Sequence, residues 1–460
     1  MNKKKLIALL LASVMSVSLL AGCGNDSGTS STGGESNTSS SSTSSTSDNK
    51  TINVWSFTEE IPGAITRFKE MNPSFDWDIN ITVVSDQDGA YETALEQALL
   101  AGGANAPHLF TAEQAFVLKY TQGGFSGDLI PLKDLIPDFA SKLAAADVAQ
   151  YAVEVGTRNG DIVGLRFQET GSCLIYRRSL AIDTWGTDDP AEISKIVGPG
   201  WDKFLSAAED LKAKGYSIVA GDGDVFKAAK DGAKQGWITN GKITIDPLRE
   251  EFFDLAMALH ENDYMNGSVD WQDNWYADMG GTGIRPVFSF LGPAWLINYV
   301  MVGNAGDTFG DWAITDSPVP FTWGGTWVMG TTHIDGDDKR AAVGQIIEWL
   351  TLDTTEDGFM YKFANGTLND GVTGAKDTVA SAVVMAKSDG TLEYLGGQNM
   401  YDYFIPAAAA AKSDNWIEYD RLINDWFADQ VRQYYNGNKT KEQAIADFKQ
   451  RITDELGFTE

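Results

Sequence analysis

The 460-residue sequence contains little cysteine and histidine. Two cysteines are too few for a disulfide framework, and His108, His260 and His333 are too scattered for a Cys/His zinc site. Cys173 lies in the apolar run "SCLIYRR", which predicts a buried small hydrophobic side chain, with a reactive thiol as the alternative. We therefore expect no disulfide framework, no metal and no cofactor.

Basic residues are also scarce. The chain has 35 Lys and Arg against 64 Asp and Glu, which gives a formal net charge of −29. A field of this sign disfavours nucleic acids and phosphorylated ligands, and no local basic cluster offsets it. Neutral or cationic ligands remain.

Long apolar runs are absent after the first two dozen residues, so we expect a soluble body. The chain is too long for one ordinary hydrophobic core, and 43% of its residues are apolar. Two or more domains are therefore expected.

The N-terminus has the pattern of a secretory signal peptide, residues 1–22, in which three lysines precede an apolar stretch that ends in small residues. Its ending, "LAGC", resembles the lipobox of bacterial lipoproteins. That resemblance implies that Cys23 is lipidated and tethers the protein to a membrane, with simple secretion as the alternative. Residues 23–50, rich in Ser, Thr and Gly, predict a disordered linker with a mean reach of roughly 28 Å.

The next segments alternate between strand and helix patterns. "TINVWSF", "DINITVVS" and "HLFTA" are β-rich runs. Between them lie a helix with Ile65, Phe68 and Met71 on one face and a helix in "GAYETALEQALLAGG". This βαβαβ pattern predicts a mostly parallel sheet that binds ligands beyond the carboxyl ends of its strands.

The alternation recurs further along the chain. "GPGWDKFLSAAEDLKAKGY" predicts a helix that stops at Gly215, within a second α/β unit. The C-terminal segment is predicted to be helical, with a capping box at "TKEQ". Its aromatic stripe is expected to belong to the core and consists of Trp416, Tyr419, Ile423, Trp426 and Tyr434.

These segments, in this order, resemble the extracellular solute-binding proteins of ABC importers, in the sugar-binding group that includes maltose-binding protein. The motifs that carry the resemblance are "INVWSF" before a helix, "ALLAGGANAPHLF", "GLRF" with "LIYRRSL", "WDKFLSAAEDLKAKG", "FLGPAWLINYV", "VPFTWGGTWVMG" and "NGNKTKEQAIADFKQRI". One departure is His108, where relatives usually carry Asp. We expect His108 to be structural.

The resemblance implies an α/β, periplasmic-binding-protein-like clamshell of two lobes, with mostly parallel sheets flanked by helices and crossover strands at a hinge. It places residues 51–168 and 318–366 in lobe 1, and residues 173–312 and 370–460 in lobe 2. The expected crossings lie near 168–172, 314–319 and 365–370.

A sugar site needs flat aromatic platforms edged by carboxylates and amides. Trp55 ends the first predicted strand and Glu59 follows it, so both are candidates by position. A packed tryptophan and a solvated glutamate are the alternatives. Trp323 and Trp327 flank paired glycines, which favours presentation of both rings to a ligand, whereas Trp312 lies in a strand-like alternation and is predicted to be core.

The resemblance implies further ligand-binding residues. Trp295, in "GPAW", matches a stacking tryptophan, with inward packing as the alternative. Glu113, with Gln114 beside it, matches a sugar-binding carboxylate, and helix capping is the competing role. Glu169 lies in the first crossing, where relatives also use a carboxylate, although it could instead hold only backbone amides.

Three more segments supply candidates. Asp224 and Phe226, in "GDGDVF", resemble a turn that lines the second lobe, while a calcium loop would need a glutamate that is absent. Trp271 lies in the polar segment "SVDWQDNWYADMGGTG", in a region that often contributes an aromatic residue in relatives. Tyr401, in "NMYDYFIP", is expected to add a final platform.

The leading hypothesis is a lipid-anchored receptor on the extracellular face of a bacterial cytoplasmic membrane. It would bind a neutral oligosaccharide and deliver it to the transmembrane subunits of an ABC permease, as a monomer and without catalysis or nucleic-acid binding. One alternative is the same scaffold binding a polyamine or peptide, which the negative charge permits. Another is a surface glycosidase, although no paired carboxylates occur at a recognisable spacing.

Overall fold

Two β-sheets organise the chain. The computed structural model describes residues 50–86, 89–368, 376–410 and 416–460. The predicted signal peptide, Cys23 and the linker up to residue 49 lie outside these residues.

Nine strands build the two sheets. They are β1 (Thr51–Ser56), β2 (Asp78–Val83), β3 (Leu109–Glu113), β4 (Gly164–Arg166), β5 (Cys173–Arg177), β6 (Ser217–Val219), β7 (Val287–Gly292), β8 (Trp312–Thr315) and β9 (Thr326–Gly330). The first sheet has the order β2-β1-β3-β9-β4 and the second has the order β8-β5-β7-β6. Short two-stranded ribbons pair Thr157–Arg158 with Asp161–Ile162, Ile238–Thr239 with Lys242–Ile243, and Thr391–Leu392 with Gln398–Asn399.

Helices flank the sheets. The α-helices are Glu60–Met71, Ala90–Ala101, Val117–Thr121, Phe139–Ala146, Gln150–Val155, Arg178–Trp185, Pro190–Val197, Trp201–Ala213, Asp222–Asp231, Pro247–Glu261, Asp273–Met279, Asp337–Thr351, Phe359–Ala364, Ala382–Met385, Tyr401–Ala409, Asp420–Tyr435 and Lys441–Leu456. Leu296–Met301 is a π-helix. Short 3-10 turns cover Gly103–Asn105, Ser126–Asp128, Leu132–Asp134, Val302–Asn304, Gly306–Thr308 and Glu393–Leu395.

The predicted βαβαβ unit is confirmed. Strands β1, β2 and β3 pair in parallel, and the two intervening helices are present. The first of these helices buries Ile65 and Phe68, as the spacing predicts, and ends at Met71 with Asn72 as its cap. Pro62 lies in its first turn, where the missing amide proton removes no hydrogen bond.

The sheets are mixed, which corrects the prediction of mostly parallel sheets. Strand β9 runs antiparallel to both β3 and β4, and β5 runs antiparallel to both β7 and β8. Strands β4 and β5 flank one passage between the sheets, and β8 and β9 flank another. The βα alternation sets the parallel direction of β1, β2 and β3. The antiparallel pairs involve strands that flank the passages between the sheets, so the route of the chain between the sheets sets their direction.

The passages between the sheets lie side by side. Gly171 pairs with Thr322, and Gln168 pairs with Val379, each in an isolated antiparallel bridge. The predicted crossing at 365–370 falls partly on residues outside the described part of the chain. Beyond them, the helix Ala382–Met385 still packs against Phe139–Ala146 of the first half. The lobe boundaries therefore stay a prediction.

The C-terminal helices pack as the sequence predicts. Ile423 and Trp426 are buried, and Tyr419 and Tyr434 are partly buried against the same core. Trp416 is an exception, because it precedes the helix Asp420–Tyr435 and is buried beside Trp327 in the core of the first sheet. The capping box is formed, because the Thr440 hydroxyl accepts from the Gln443 amide while the Gln443 side chain accepts from the Thr440 amide. In the described ranges no helix is both long enough and apolar enough to cross a bilayer.

Candidate functional site

Three tryptophans from separate segments meet beside the crossing segments. Trp295 follows strand β7, Trp271 precedes the helix Asp273–Met279, and Trp323 follows the second passage between the sheets. The ring centroids lie 4.5 Å apart for Trp295 and Trp323, 6.0 Å for Trp271 and Trp323, and 6.1 Å for Trp271 and Trp295. We call these three residues the tryptophan cluster. None of the three is fully buried, so part of the ring surface of the cluster is accessible.

Gly324 and Gly325, next to the cluster, are each required for a different close contact of the backbone. Both have positive φ, 82° at Gly324 and 104° at Gly325, which L-residues rarely adopt. A Cβ on Gly324 would lie 3.2 Å from Trp295 Nε1 and 3.4 Å from Glu113 Oε1, while a Cβ on Gly325 would overlap the Arg166 guanidinium. Gly324 therefore lets the backbone approach the site, and Gly325 lets it pass over Arg166.

Glu113 supplies a carboxylate next to Trp295. It ends strand β3, and its Oε2 accepts a 2.8 Å hydrogen bond from the Ala115 amide. No hydrogen bond to Oε1 is formed within the described part of the chain, so that oxygen is available to a ligand. Burial raises the pKa of Glu113 to about 7, against the opposing effect of the Ala115 amide.

The neighbouring Gln114 lies in a polar contact with the other half of the chain. Burial raises the pKa of Asp231, at the end of the helix Asp222–Asp231, and the nearby Gln114 side chain opposes that rise. Its Oε1 is buried without a hydrogen-bond donor among the described residues. Gln114 therefore offers an unsatisfied acceptor beside Glu113.

A buried lysine lies behind the cluster, and sequence reasoning missed it. Lys227 Nζ lies 2.7 Å from Asp270 Oδ2, 3.4 Å from Asp224 Oδ1 and 4.3 Å from the ring centroid of Trp323. The Trp275 indole also donates to Asp224 at 3.4 Å. Burial raises the pKa of Asp224 to about 7, and the Lys227 charge opposes that rise. The one available signal was the spacing of Asp224 and Lys227, which puts both on one helix face.

Asp224 was predicted to touch the ligand. The structure instead makes it a partner of Lys227 and Trp275, with a fully buried side chain. Phe226, predicted from the same turn, packs in the core between Phe252 and Phe427. In this structure neither side chain presents a surface to a ligand.

Two more predicted platforms are also interior. Trp327 is fully buried, with the Arg166 guanidinium 4.6 Å from its ring centroid and its Nε1 donating to Ala152 O. Tyr401 is buried, and its hydroxyl donates to Ala364 O at 2.5 Å and to Asp377 O at 2.9 Å. Both residues fill the core, so we leave them out of the proposed site.

Glu169 belongs to a hydrogen-bond network at the first crossing between the sheets. It accepts from the Tyr151 hydroxyl and from the Thr170 amide at 2.8 Å. The Thr170 hydroxyl in turn donates to Gly324 O at 3.0 Å. This arrangement matches the alternative role, in which the carboxylate holds the backbone of the crossing.

Trp55 and Glu59 lie at the carboxyl end of β1. Trp55 is half-buried against the aromatic core of the first sheet, and its carbonyl accepts from the Tyr91 hydroxyl at 3.3 Å. Glu59 is exposed before the helix Glu60–Met71 and makes no capping bond. Both lie at the carboxyl-terminal edge of the first sheet, where the βα alternation predicts a ligand. Their contact with a ligand stays a prediction. Trp312, by contrast, is fully buried, which confirms it as core.

His108 and Cys173 are structural, as predicted. His108 is buried, and its Nδ1 accepts from the Asn53 amide at 2.9 Å. Burial lowers the pKa of His108 to about 4 and raises the pKa of the Cys173 thiol. Among the described residues, no group of three or more His, Cys, Asp or Glu side chains could hold a metal ion.

Polar contacts join the two halves on either side of the cluster. Arg421, on the helix Asp420–Tyr435, lies 2.7 Å from Asp86 and 2.8 Å from Glu92. The Tyr299 hydroxyl donates to Glu60 at 2.6 Å. Burial raises the pKa of Glu60 to about 7, opposed by this hydrogen bond. These contacts hold the halves against each other.

No protein-family model matches the sequence. No curated protein matches it either. Solved structures do match the fold of the chain.

A structure described as an extracellular solute-binding protein of family 1 is 19% identical, with a TM-score of 0.67, and covers 88% of this chain and 99% of its own. An ABC transporter-associated binding protein from B. animalis subsp. lactis Bl-04, in complex with β-1,6-galactobiose, is 20% identical, with a TM-score of 0.62 and coverage of 89% and 99%. The sugar-binding protein MalE from Xanthomonas citri is 14% identical, with a TM-score of 0.65 and coverage of 88% and 97%. The chain therefore has the two-lobed α/β fold of the extracellular solute-binding proteins.

Proposed function

We propose that this protein is a lipid-anchored extracellular receptor of an ABC importer, which binds a neutral oligosaccharide between two lobes and delivers it to the permease. The observation that carries the proposal is the meeting of Trp295 and Trp323 with the free Oε1 of Glu113. Indole faces pack on the C–H face of a sugar ring, and the carboxylate accepts from its hydroxyls. Sugar ligands of proteins with the same fold support this assignment.

The lobes are proposed as residues 51–168 with 318–366 and residues 173–312 with 370–460. Closure around a ligand stabilises the closed form only by the difference in affinity between the two forms. A signal peptide over 1–22, lipidated Cys23 and the linker over 23–50 would keep this monomeric receptor at the extracellular face of the cytoplasmic membrane, within reach of the permease.

Binding of a polyamine or another cation is less well supported. A cation needs an aromatic face with carboxylates beside it. In this site the face of Trp323 already carries the Lys227 ammonium, which also pairs with Asp224 and Asp270. A ligand cation would have to compete with this buried lysine.

A glycosidase needs two carboxylates that flank the scissile bond. Beside the tryptophan cluster, Asp224 and Asp270 pair with Lys227, which leaves the free oxygen of Glu113. We therefore propose no catalytic step.

The proposal is tested with a thermal-shift screen of the purified chain against neutral disaccharides and trisaccharides that include β-1,6-galactobiose. A sugar at 100 times its Kd adds about 2.7 kcal/mol of stability and raises Tm. Calorimetry and scattering should then show binding and a smaller radius. Stabilisation by polyamines alone, or a shortened sugar in product chromatography, would contradict the proposal.

Trp295→Ala provides the site-directed test. We expect it to weaken binding of the sugar identified in the screen about tenfold or more, because it removes one face of the site. Trp185→Phe is the matched control, because Trp185 packs on Phe288 and bonds Asp210, outside the cluster. Equal affinity of Trp295→Ala and wild type would place the ligand elsewhere.

A further inference from the structure

Trp271 has an unusual backbone conformation for its position. Its φ is +65°, in the left-handed region that bulky residues avoid, and its side chain is 49% exposed. Strain of this kind persists only where the surrounding structure enforces it, and it is concentrated at functional sites. The contacts of Trp271 should therefore show what the strained conformation achieves.

The Trp271 ring is parallel to the Trp295 ring. The interplanar angle is 8° and the centroids are 6.1 Å apart. A sugar ring between two parallel indoles needs a carbon–carbon contact of about 3.5–4.0 Å on each side, which is about 7–8 Å in total. The present spacing is too small, so no sugar ring fits between Trp271 and Trp295 until one of them moves.

Trp295 is the more firmly held member of the pair. Its Nε1 donates to Trp323 O at 3.0 Å, and its ring lies 4.5 Å from the Trp323 ring. Within the described residues the Trp271 side chain makes ring contacts, with Trp295, Trp323 and Trp275, and no hydrogen bond. Trp271 is therefore the residue that can move.

The segment before Trp271 is anchored on both sides of Val269. The Ser268 amide donates to Ala220 O, and the Ser268 hydroxyl donates to Asp278. Asp270, next to Trp271, is held by Lys227 at 2.7 Å. These anchors fix the base of the segment, while the exposed indole beyond them rests on Trp295.

We propose that Trp271 is a gate on the sugar site: its indole lies parallel to Trp295 and leaves no room for a sugar ring between them, and the ligand displaces it. This inference rests on the proposed function and adds a residue that sets affinity and the size of the admitted ring. Displacement also lets the backbone leave its strained conformation, which offsets part of the lost ring contact.

Trp271→Gly tests the gate. Glycine adopts φ of +65° without strain, so this variant keeps the backbone conformation while it removes the ring. For the sugars that bind wild type, and for β-1,6-galactobiose as a fixed probe, we expect affinity to increase about two- to tenfold, the worth of one aromatic contact. Association should be faster in stopped-flow measurements.

A second readout follows the indole pair itself. Neighbouring tryptophans give an exciton couplet in far-ultraviolet circular dichroism; Trp271→Gly should change its amplitude but not abolish it, because Trp295 and Trp323 stay 4.5 Å apart. In the wild-type protein, saturating sugar should reduce the same couplet. A sugar that binds Trp271→Gly but not wild type would also support the gate.

The failures are distinguishable. Weaker or unchanged binding by Trp271→Gly, or a wild-type couplet whose amplitude saturating sugar leaves unchanged, overturns the gate and leaves the receptor intact, provided that Trp295→Ala loses affinity. If no sugar of the panel binds wild type or Trp271→Gly, the proposed function and the gate fall together.

Discussion

At the residue scale, the proposed site divides its work between indole faces and one carboxylate. Trp295 and Trp323 offer apolar surface. Glu113 offers its Oε1 as an acceptor, and a ligand can bind this oxygen while Oε2 keeps its hydrogen bond from the Ala115 amide. An acceptor without a partner inside the protein is costly to bury, so a ligand hydroxyl that satisfies it contributes affinity. The strength of the hydrogen bond between Glu113 and a ligand hydroxyl depends on whether Glu113 carries a proton.

Sugar affinity should therefore depend on pH through Glu113. Its pKa is raised to about 7, so the side chain is protonated below that pH and a carboxylate above it. A charged acceptor makes the stronger hydrogen bond, and affinity should rise about fivefold as pH increases through 7. Calorimetric titrations from about pH 5.5 to about pH 8.5, roughly one and a half units on either side of the pKa, would measure this change in affinity.

Glu113→Gln is the control for this pH dependence. The amide keeps the size of the side chain and cannot titrate, so its affinity should stay level over the same range. Burial also raises the pKa values of Asp224, Glu60 and Asp420 to about 7. A pH dependence that persists in Glu113→Gln would assign the effect to one of these groups instead.

At the element scale, the backbone of the segment from Thr322 to Thr326 packs closely against Trp295 and Arg166. Arg166 binds the Tyr151 hydroxyl and the Thr170 hydroxyl, each at 2.9 Å, directly beneath Gly325. The glycine pair thus places Trp323 at the site and Trp327 in the core within one short segment. Loss of the second glycine should disturb both placements.

Gly325→Ala should destabilise the protein by about 2–4 kcal/mol, because it combines left-handed strain with overlap of the Arg166 guanidinium. Gly437→Ala is the matched control: its φ is +75°, and nothing lies within 4 Å of an added Cβ. That control should lose only about 1–2 kcal/mol. Denaturant unfolding measures the loss in free energy of unfolding for both variants. Equal losses would show that the Arg166 side chain moves aside at no cost in stability.

At the scale of the whole molecule, ionic contacts join residues of the two proposed lobes. Arg421 bridges Asp86 and Glu92, and Lys119 also holds Glu92 at 2.7 Å. The side chains of Arg421 and Asp86 are 25% and 22% exposed, so bulk salt screens them incompletely. Removing the arginine leaves two carboxylates next to each other with less compensation.

Arg421→Met should shift the protein towards an open form. We expect a larger scattering radius without sugar and affinity about tenfold weaker, since opening competes with binding. Lys195→Ala, which breaks the exposed pair with Glu192, is the control and should change neither quantity. An unchanged radius and affinity in Arg421→Met would show that Arg421 does not bias closure.

The sequence by itself determined the local elements. Hydrophobic period and caps predicted the βαβαβ unit, the helix Trp201–Ala213 and the capped C-terminal helix, because these depend on contacts within a few turns of chain. Burial of Cys173 and Trp312 followed from their flanking residues. The resemblance of the ordered segments pointed to the two-lobed fold.

Only the tertiary structure decided which aromatic rings face the site. Trp323 and Trp327 lie four residues apart with the same flanking glycines, yet Arg166 and Trp416 cover Trp327 while Trp323 meets Trp295 and Lys227. The mixed strand directions and the contact of Trp271 with Trp295 also arise between distant segments. Exposure of a side chain is set by what the rest of the chain packs against it, and that information is not local.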